Sequence, residues 1–364
     1  MAADLLGWDL GGANIKATRL HGGVVTDVAQ WPCPLWQGLD KLEAVLAQAH
    51  ARWPDATAPH VWHAVTMTGE MADLFPHREA GVTALAQAMS RHFGERVRCY
   101  AGPSGWRTPG QAGAAWREIA SANWLATAAV VAARRGQGVL VDIGTTTTDL
   151  IPFDGGRERA RGRDDAGRLA SGELVYHGVV RTPLCALSRR LRVGGTASNV
   201  MHEWFATTAD VYRLTGELDP LHDAHPTADG GPRTPGATRQ RLARMVGLDA
   251  RDAPDAYWLA HARAWRAAQL AELARNLRRV LRDTGLPPDA PLVGAGCGDF
   301  LGRELARRVR RPFLDFAEVA AIPPAHAAWA RVCAPSVAVA LLLDAALAQD
   351  NEETPCGSSS SVAA

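Results

Sequence analysis

Lysine is nearly absent from this chain of 364 residues: Lys16 and Lys41 are the only two among 39 basic residues. A GC-rich coding bias accounts for the arginine excess, yet it leaves Lys16 conspicuous. Net charge is also missing, at +1, which excludes a global field for nucleic acid or an anionic membrane surface. Cysteine pairs are missing too. Cys33, Cys99, Cys185, Cys297, Cys333 and Cys356 are scattered with no Cys-x-x-Cys, so neither a zinc site nor a disulfide framework is indicated. The longest apolar stretches, 125–133 and 337–348, are too short or too alanine-rich to span a membrane. Acidic Asp4 and a loop motif follow the first residues at once, so no signal peptide and a cytoplasmic location are expected. No solenoid repeat is visible. What remains is an ordinary globular composition, 47% hydrophobic and 21% charged, long enough for two domains.

Two stretches carry the chemistry. In Val139-Leu140-Val141-Asp142-Ile143-Gly144-Thr145-Thr146-Thr147-Thr148-Asp149-Leu150, an apolar strand ends at an Asp. A glycine and four hydroxyl residues turn the chain into a second strand. Such a turn can aim amide N–H groups and hydroxyls at a phosphate, with Asp142 placed to hold a metal ion. Asp9-Leu10-Gly11-Gly12-Ala13-Asn14-Ile15-Lys16 has the same layout. A third glycine turn, Gly294-Ala295-Gly296-Cys297-Gly298, follows a strand at 292–293 and leads into a helix. It lacks the Gly-x-Gly-x-x-Gly pattern of a dinucleotide site.

Between these turns, patterning predicts a β-meander over 5–29, a helix over 39–52 and a strand over 60–66. The strand runs into Thr68, Glu70 and Asp73, which either converge on a ligand or belong to an ordinary helix start capped by Thr68. Helices are expected over 81–93, 116–135, 200–214, 238–247, 255–281 and 336–348. Strands are expected over 96–101, 174–180 and 313–316. The segment 102–113 reads as a loop, and the charged run to Arg168 as solvated surface. The polar stretch 216–237 reads as a long loop of functional or disordered character. Arg181 suits either a substrate phosphate or a structural ion pair. In His60-x-x-His63 the histidines alternate on a strand, so a half-buried strand histidine is the expectation.

Departure of a phosphoryl or diphosphate group builds negative charge that amides, hydroxyls, a lysine and a carboxylate-held Mg²⁺ stabilise. In that scheme Lys16 is the point charge and Asp9 and Asp142 are the metal anchors. Gly11, Gly12, Asn14, Gly144, Thr145, Thr146, Thr147 and Thr148 form the cradle, with Arg181, Gly294, Gly296 and Gly298 beside it. The alternative is that the two aspartates only brace their turns.

Two Asp-headed hairpins on successive halves of the chain resemble the actin/sugar-kinase/Hsp70-like (ASKHA) superfamily, an α/β fold of two related domains with a central cleft. The third turn is similar to that superfamily's adenosine-contacting stretch. More narrowly, the chain resembles the hydantoinase/oxoprolinase-like branch, and within it proteins of tetrahydromethanopterin-linked one-carbon metabolism that assemble methanofuran or methylofuran. Asp9 to Lys16, Met67-Thr68-Gly69-Glu70, Asp142 to Pro152 and Gly178-Val179-Val180-Arg181-Thr182-Pro183 carry the resemblance. So do Ala209-Asp210-Val211 and the stretches 203–207, 227–230, 241–247 and 294–301.

The resemblance implies a transferase that joins (5-aminomethylfuran-3-yl)methyl diphosphate to the phenol of γ-glutamyltyramine, or of a tyrosine-type acceptor, with loss of diphosphate. It implies Mg²⁺ on Asp9 and Asp142, and Asp149, Glu70 and Asp73 as candidate bases. Small-molecule substrates, no nucleic acid, no membrane and a homodimer complete the expectation. Ala13 stands where many superfamily ATPases have Thr, which argues against ATP hydrolysis as the task. The competing readings are an ATP-dependent small-molecule kinase or oxoprolinase-like hydrolase, and a nucleotide-sensing scaffold without turnover. The expected division is 1–132 plus 335–350, then 133–334, with a disordered tail over 351–364.

Overall fold

In a computed structural model of the chain, residues 4–193 and 195–353 are described, the last three without side chains. The chain falls into two compact units. One comprises residues up to Val130 together with those from Pro335, and the other Val131–Ala334.

The first unit opens on β1 (Asp4–Leu10), β2 (Asn14–His21) and β3 (Val24–Pro32), then α1 (Asp40–Arg52) and β4 (Val61–Met67). After these come α2 (Arg78–Phe93), β5 (Val97–Tyr100), β6 (Trp106–Arg107) and the helices α3 (Pro109–Ala112), α4 (Trp116–Ile119) and α5 (Asn123–Arg135). The sheet runs β3-β2-β1-β4-β5-β6, with β1 antiparallel to β2 and parallel to β4. Its core includes Leu6, Trp8, Leu10, Ile15, Val65 and Met67, packed against Leu42, Leu46, Leu85 and Met89 of the helices.

The second unit repeats this plan. It contains β7 (Gly138–Ile143), β8 (Thr148–Asp154), β9 (Arg157–Glu158), α6 (Asp165–Ser171), β10 (Leu174–Val175) and α7 (Leu184–Leu187). A ribbon of β11 (Arg190–Val193) and β12 (Thr196–Asn199) precedes α8 (Thr208–Thr215), α9 (Pro235–Arg244) and the long α10 (Asp255–Thr284). It closes with β13 (Leu292–Ala295), α11 (Asp299–Val309), β14 (Phe313–Asp315), α12 (Phe316–Val319) and α13 (Ala327–Val332). Its sheet runs β10-β8-β7-β13-β14, again with a hairpin beside a parallel crossover. In both units, then, an Asp-headed strand is flanked by its hairpin partner on one side and a parallel strand on the other.

A final helix, α14 (Ala334–Glu353), returns to the first unit. It packs where β1 has no side chain: a Cβ on Gly7 would lie 2.1 Å from the Ser336 carbonyl. The Ser336 hydroxyl meets Thr18 Oγ1 at 2.8 Å. This helix includes 351–353, which sequence placed in a disordered tail; the rest of that expected tail lies outside the described residues. Among the described residues no single helix is long and apolar enough to cross a membrane.

Several elements differ from expectation. The alanine-rich helix over 116–135 is two helices, α4 and α5, broken at Ser121, whose φ is 52°. The strand over 174–180 is only Leu174–Val175, and the helix over 200–214 begins at Thr208. Residues 102–113 contain the short β6 and α3 rather than loop alone. The long polar loop is anchored: Asp223 takes two hydrogen bonds from Arg213, and Asp229 takes one from buried Arg241.

His63 is more buried than a half-buried strand position. Trp8 Nε1 donates to its Nδ1 at 3.1 Å, and its Nε2 donates to the Ala56 carbonyl at 3.0 Å. Both ring nitrogens are thus engaged in the neutral form, and burial holds the pKa down to about 3. The unfolded chain takes up a proton below about pH 6.5, whereas the native ring stays neutral to about 3. His63 therefore makes stability rise with pH in that window, by up to about 1.4 kcal/mol per unit. Urea titrations between pH 7 and pH 5 should show a flatter loss of stability in His63→Gln than in the wild type.

Candidate functional site

The Asp9 and Asp142 hairpins close by the same hydrogen bond. Gly11 N–H donates to the Asn14 carbonyl at 3.1 Å, and Gly144 N–H donates to the Thr147 carbonyl at 2.9 Å. The carbonyls of the first turn are taken from outside the hairpin: Leu10 O by Thr68 N–H, Gly12 O by Leu35 N–H and Ala13 O by Cys33 N–H. In the second, Ile143 O accepts from Gly298 N–H, Gly144 O from Val179 N–H, and Thr145 O from both Val180 and Arg181 N–H. The amides of Gly12, Ala13, Thr145, Thr146 and Thr147 donate to no acceptor among the described residues. Successive amides left open by a turn whose carbonyls are engaged form a concavity suited to an anion.

The neighbouring parallel strand braces each turn through glycine. A Cβ on Gly69 would lie 3.0 Å from Leu10 O, and one on Gly296 would lie 2.2 Å from Ile143 O and 2.6 Å from Asp142 Oδ1. Gly298 presses on Ile143 and Val179, and Gly294 on the Phe313 ring. All three glycines of the third turn are buried. Sequence reasoning put Gly294, Gly296 and Gly298 against the ligand. The structure shows each of them closely packed, with no room for a side chain between the turn and the strands it supports.

The two turns treat charge differently. Asp9 faces Lys16 across the β1–β2 ladder, with Lys16 Nζ 3.7 Å from Oδ2. Oδ1 of Asp9 is buried and accepts no hydrogen bond among the described residues. Burial raises the Asp9 pKa, and Lys16 opposes that rise. An open buried carboxylate oxygen fits a Mg²⁺ ion, which takes one or two protein carboxylates and keeps its waters. Among the described residues no group of three or more His, Cys, Asp and Glu gathers around a metal-sized point.

Across the β7–β8 ladder Asp142 faces not a lysine but Asp149. The compensating cation is Arg168, 3% exposed, which bonds Asp149 through Nη1 and Asp165 through Nη2. Burial raises the Asp149 pKa, and Arg168 opposes it. Two expectations change here. The charged run is not solvated at Arg168, because α6 carries that side chain inward. Glu173 fastens the run by accepting from the Arg161 and Gly162 amides at 2.7 and 2.9 Å. Asp149, proposed as a base, is committed to a buried guanidinium.

Thr148, expected in the cradle, is buried and donates its hydroxyl to the His177 carbonyl at 2.6 Å. Thr145 and Thr146 hydroxyls lie 3.4 Å apart, and Arg181 Nη1 reaches Thr146 Oγ1 at 3.3 Å. Arg181 is therefore a cation at the edge of the threonine turn.

In the first unit, Thr68 caps no helix with its side chain. Glu70 is 1% exposed in the short turn Gly69–Met71, and Ser121 Oγ donates to its Oε1 at 2.8 Å. A bridge between Met67 and Ala120 brings the break between α4 and α5 to the end of β4. Positive φ is uncommon for serine and persists where surroundings enforce it. Ser121 was missed by sequence reasoning, though Ser121-Ala122-Asn123 inside an alanine-rich run is a helix-start composition, and Asn123 Oδ1 does accept from Trp124 N–H. Asp73 is exposed and makes no hydrogen bond among the described residues.

If Arg168 exists to neutralise Asp149, removing it alone strands a buried carboxylate. Arg168→Met should lose about 3–5 kcal/mol in urea denaturation. Adding Asp149→Leu should recover most of that loss.

Comparison with known proteins adds the following. The hydantoinase/oxoprolinase family model matches residues 62–344. A (4-{4-[2-(γ-L-glutamylamino)ethyl]phenoxymethyl}furan-2-yl)methanamine synthase of Methanocaldococcus jannaschii is 29% identical over 246 residues, covering 67% of this chain and 72% of that protein. A protein of the same name from Methanococcus vannielii is 35% identical over 111 residues, covering 30% of this chain and half of that protein. Among solved structures, nucleotide-free acetone carboxylase superposes with a TM-score of 0.55 at 11% identity, over 93% of this chain and 70% of that one. The fold class is thus the α/β actin/sugar-kinase/Hsp70 type, as the repeated hairpin-and-crossover sheets already indicate.

Proposed function

Because the chain belongs to the hydantoinase/oxoprolinase family, we propose that it is a transferase of methanofuran or methylofuran biosynthesis. It joins an aminomethylfuran-methyl diphosphate to the phenol of a γ-glutamyltyramine or tyrosine-type acceptor. The name of its relatives describes a phenoxymethyl link to a furan, the bond such a transfer makes. The observation that carries the reading is the open amide row at Thr145, Thr146 and Thr147, with Arg181 at its edge.

In the reaction the phenolic oxygen bonds to the exocyclic methylene of the furan. The methylene–oxygen bond to diphosphate breaks, and its electron pair leaves with the diphosphate. The phenolic proton passes to a base or to the departing group. Amides and Arg181 stabilise the charge that gathers on the leaving oxygens, where preorganised donors contribute most. In the first unit Lys16, beside Asp9, is the corresponding point charge. Asp9, with its open buried oxygen, would hold a Mg²⁺ ion in the first unit and Asp142 would do so in the second, where such an ion would supply positive charge for phosphate oxygens. The furfuryl carbon ionises readily, so alignment and leaving-group stabilisation carry most of the rate. A phenol with a pKa of about 10 needs only modest help in losing its proton. Glu70, buried and hydrogen-bonded by Ser121, is the candidate carboxylate for that role, since Asp149 is bound to Arg168.

The test is a Mg²⁺-dependent coupling assay read by mass spectrometry, with the furfuryl diphosphate and γ-glutamyltyramine. The wild type should release diphosphate and form the ether. Lys16→Ala and Asp142→Asn should each lower kcat/KM by about 10²–10³. Full activity in Asp142→Asn would remove that residue from the site. ATP turnover without ether formation would overturn the reading in favour of a kinase or hydrolase.

A further inference from the structure

Gly178 is the contact through which the rest of the second unit sets the threonine turn. A Cβ there would lie 2.3 Å from both the Thr145 carbonyl carbon and the Thr146 nitrogen. The two backbones touch, so moving Gly178 moves the Thr145–Thr146 peptide. Gly178 N–H donates to Thr182 Oγ1 at 2.8 Å. Its carbonyl accepts from Gln269 Nε2 at 2.9 Å, across 91 residues of chain. Gln269 in turn accepts at Oε1 from the Tyr212 hydroxyl at 2.6 Å.

Gln269 sits on the buried stripe of α10 among Trp265, Leu270 and Leu273, and is fully buried itself. Tyr212 on α8 is also fully buried, and its ring packs on Phe300. A glutamine in such a stripe is costly unless both ends of its amide are bonded. Here both are, and the orientation is forced. The Gly178 carbonyl can only accept, so the amide NH₂ must face it and Oε1 must face the tyrosine. Burial raises the Tyr212 pKa, which keeps the hydroxyl a donor. Apolar residues of similar shape would fill this space without the polar chain.

We propose that Gln269, held by Tyr212, is a positioning residue for the threonine turn. It fixes the Gly178 carbonyl, and through it the Thr145–Thr146 peptide whose amides receive the diphosphate. The inference rests on the proposed role of that turn. Gln269 touches no substrate and acts only through backbone geometry.

Two measurements on the full chain separate the outcomes. The first is hydrogen exchange without ligand at the bonded amides that hold the turn, those of Gly144, Val179, Val180 and Arg181. Exchange there should rise at least tenfold more than at the β7 and β13 amides in Gln269→Met, and by less in Tyr212→Phe, a local loosening beyond the general destabilisation that an unpaired Tyr212 hydroxyl brings. The second is calorimetric binding of inorganic diphosphate with Mg²⁺, which should weaken about tenfold in Gln269→Met and about threefold in Tyr212→Phe. Unchanged exchange and unchanged affinity in both variants would overturn the positioning role while leaving the cradle intact. No diphosphate binding by the wild type would overturn the cradle, and the positioning role with it. Should Gln269→Met fail to fold, Tyr212→Phe decides, since it keeps the ring and deletes one hydroxyl.

Discussion

A tight turn can offer its amides to a ligand only if its carbonyls are occupied elsewhere. That constraint runs through both halves of this protein. Leu10, Gly12 and Ala13 give their carbonyls to Thr68, Leu35 and Cys33; Ile143, Gly144 and Thr145 give theirs to Gly298 and to 179–181. In each unit the segment that follows the parallel strand supplies one of those donors, Thr68 after β4 and Gly298 after β13. Glycines at 69, 178, 296 and 298 let the donating backbones come close enough. In the proposed reading, function rests on main-chain geometry, with side chains adding charge at the edges.

Those charges show how a duplicated plan diverges. The first turn sets a lysine across from its aspartate. The second sets an aspartate across from its aspartate, and the surplus charge is balanced by an arginine from α6. Asp9 keeps one oxygen open in a buried setting that disfavours its ionised form, a local cost that fits a cation partner. Asp149 has no such freedom. Asp9, read in sequence as a metal anchor, and Asp149, read as a base, differ in which cation the fold brings to each.

The hairpins were legible because an apolar run, a turn rich in Asp, Gly and small polar residues, and a second apolar run mark a strand–turn–strand unit. The repeated topology followed from their pairing. Three features were not legible. The run to Arg168 has the composition of solvated surface, and only α6 turns that one arginine inward. The break at Ser121 left only the weak local signal of Ser121-Ala122-Asn123, and the bond from Ser121 to Glu70, 51 residues away, left none. The third turn's glycines were noticed, but glycine for close packing and glycine for ligand approach look identical in sequence. Gln269 did leave a signal: it falls on the apolar stripe of α10, where a polar residue calls for a partner.

The central claim is that the amides of Thr145, Thr146 and Thr147 receive a diphosphate. A crystal structure with Mg²⁺ and inorganic diphosphate tests it most directly. Phosphate oxygens within about 3 Å of those three nitrogens, with Arg181 turned onto them, is the predicted result. Diphosphate bound away from residues 144–147, with those amides facing water, would contradict the account.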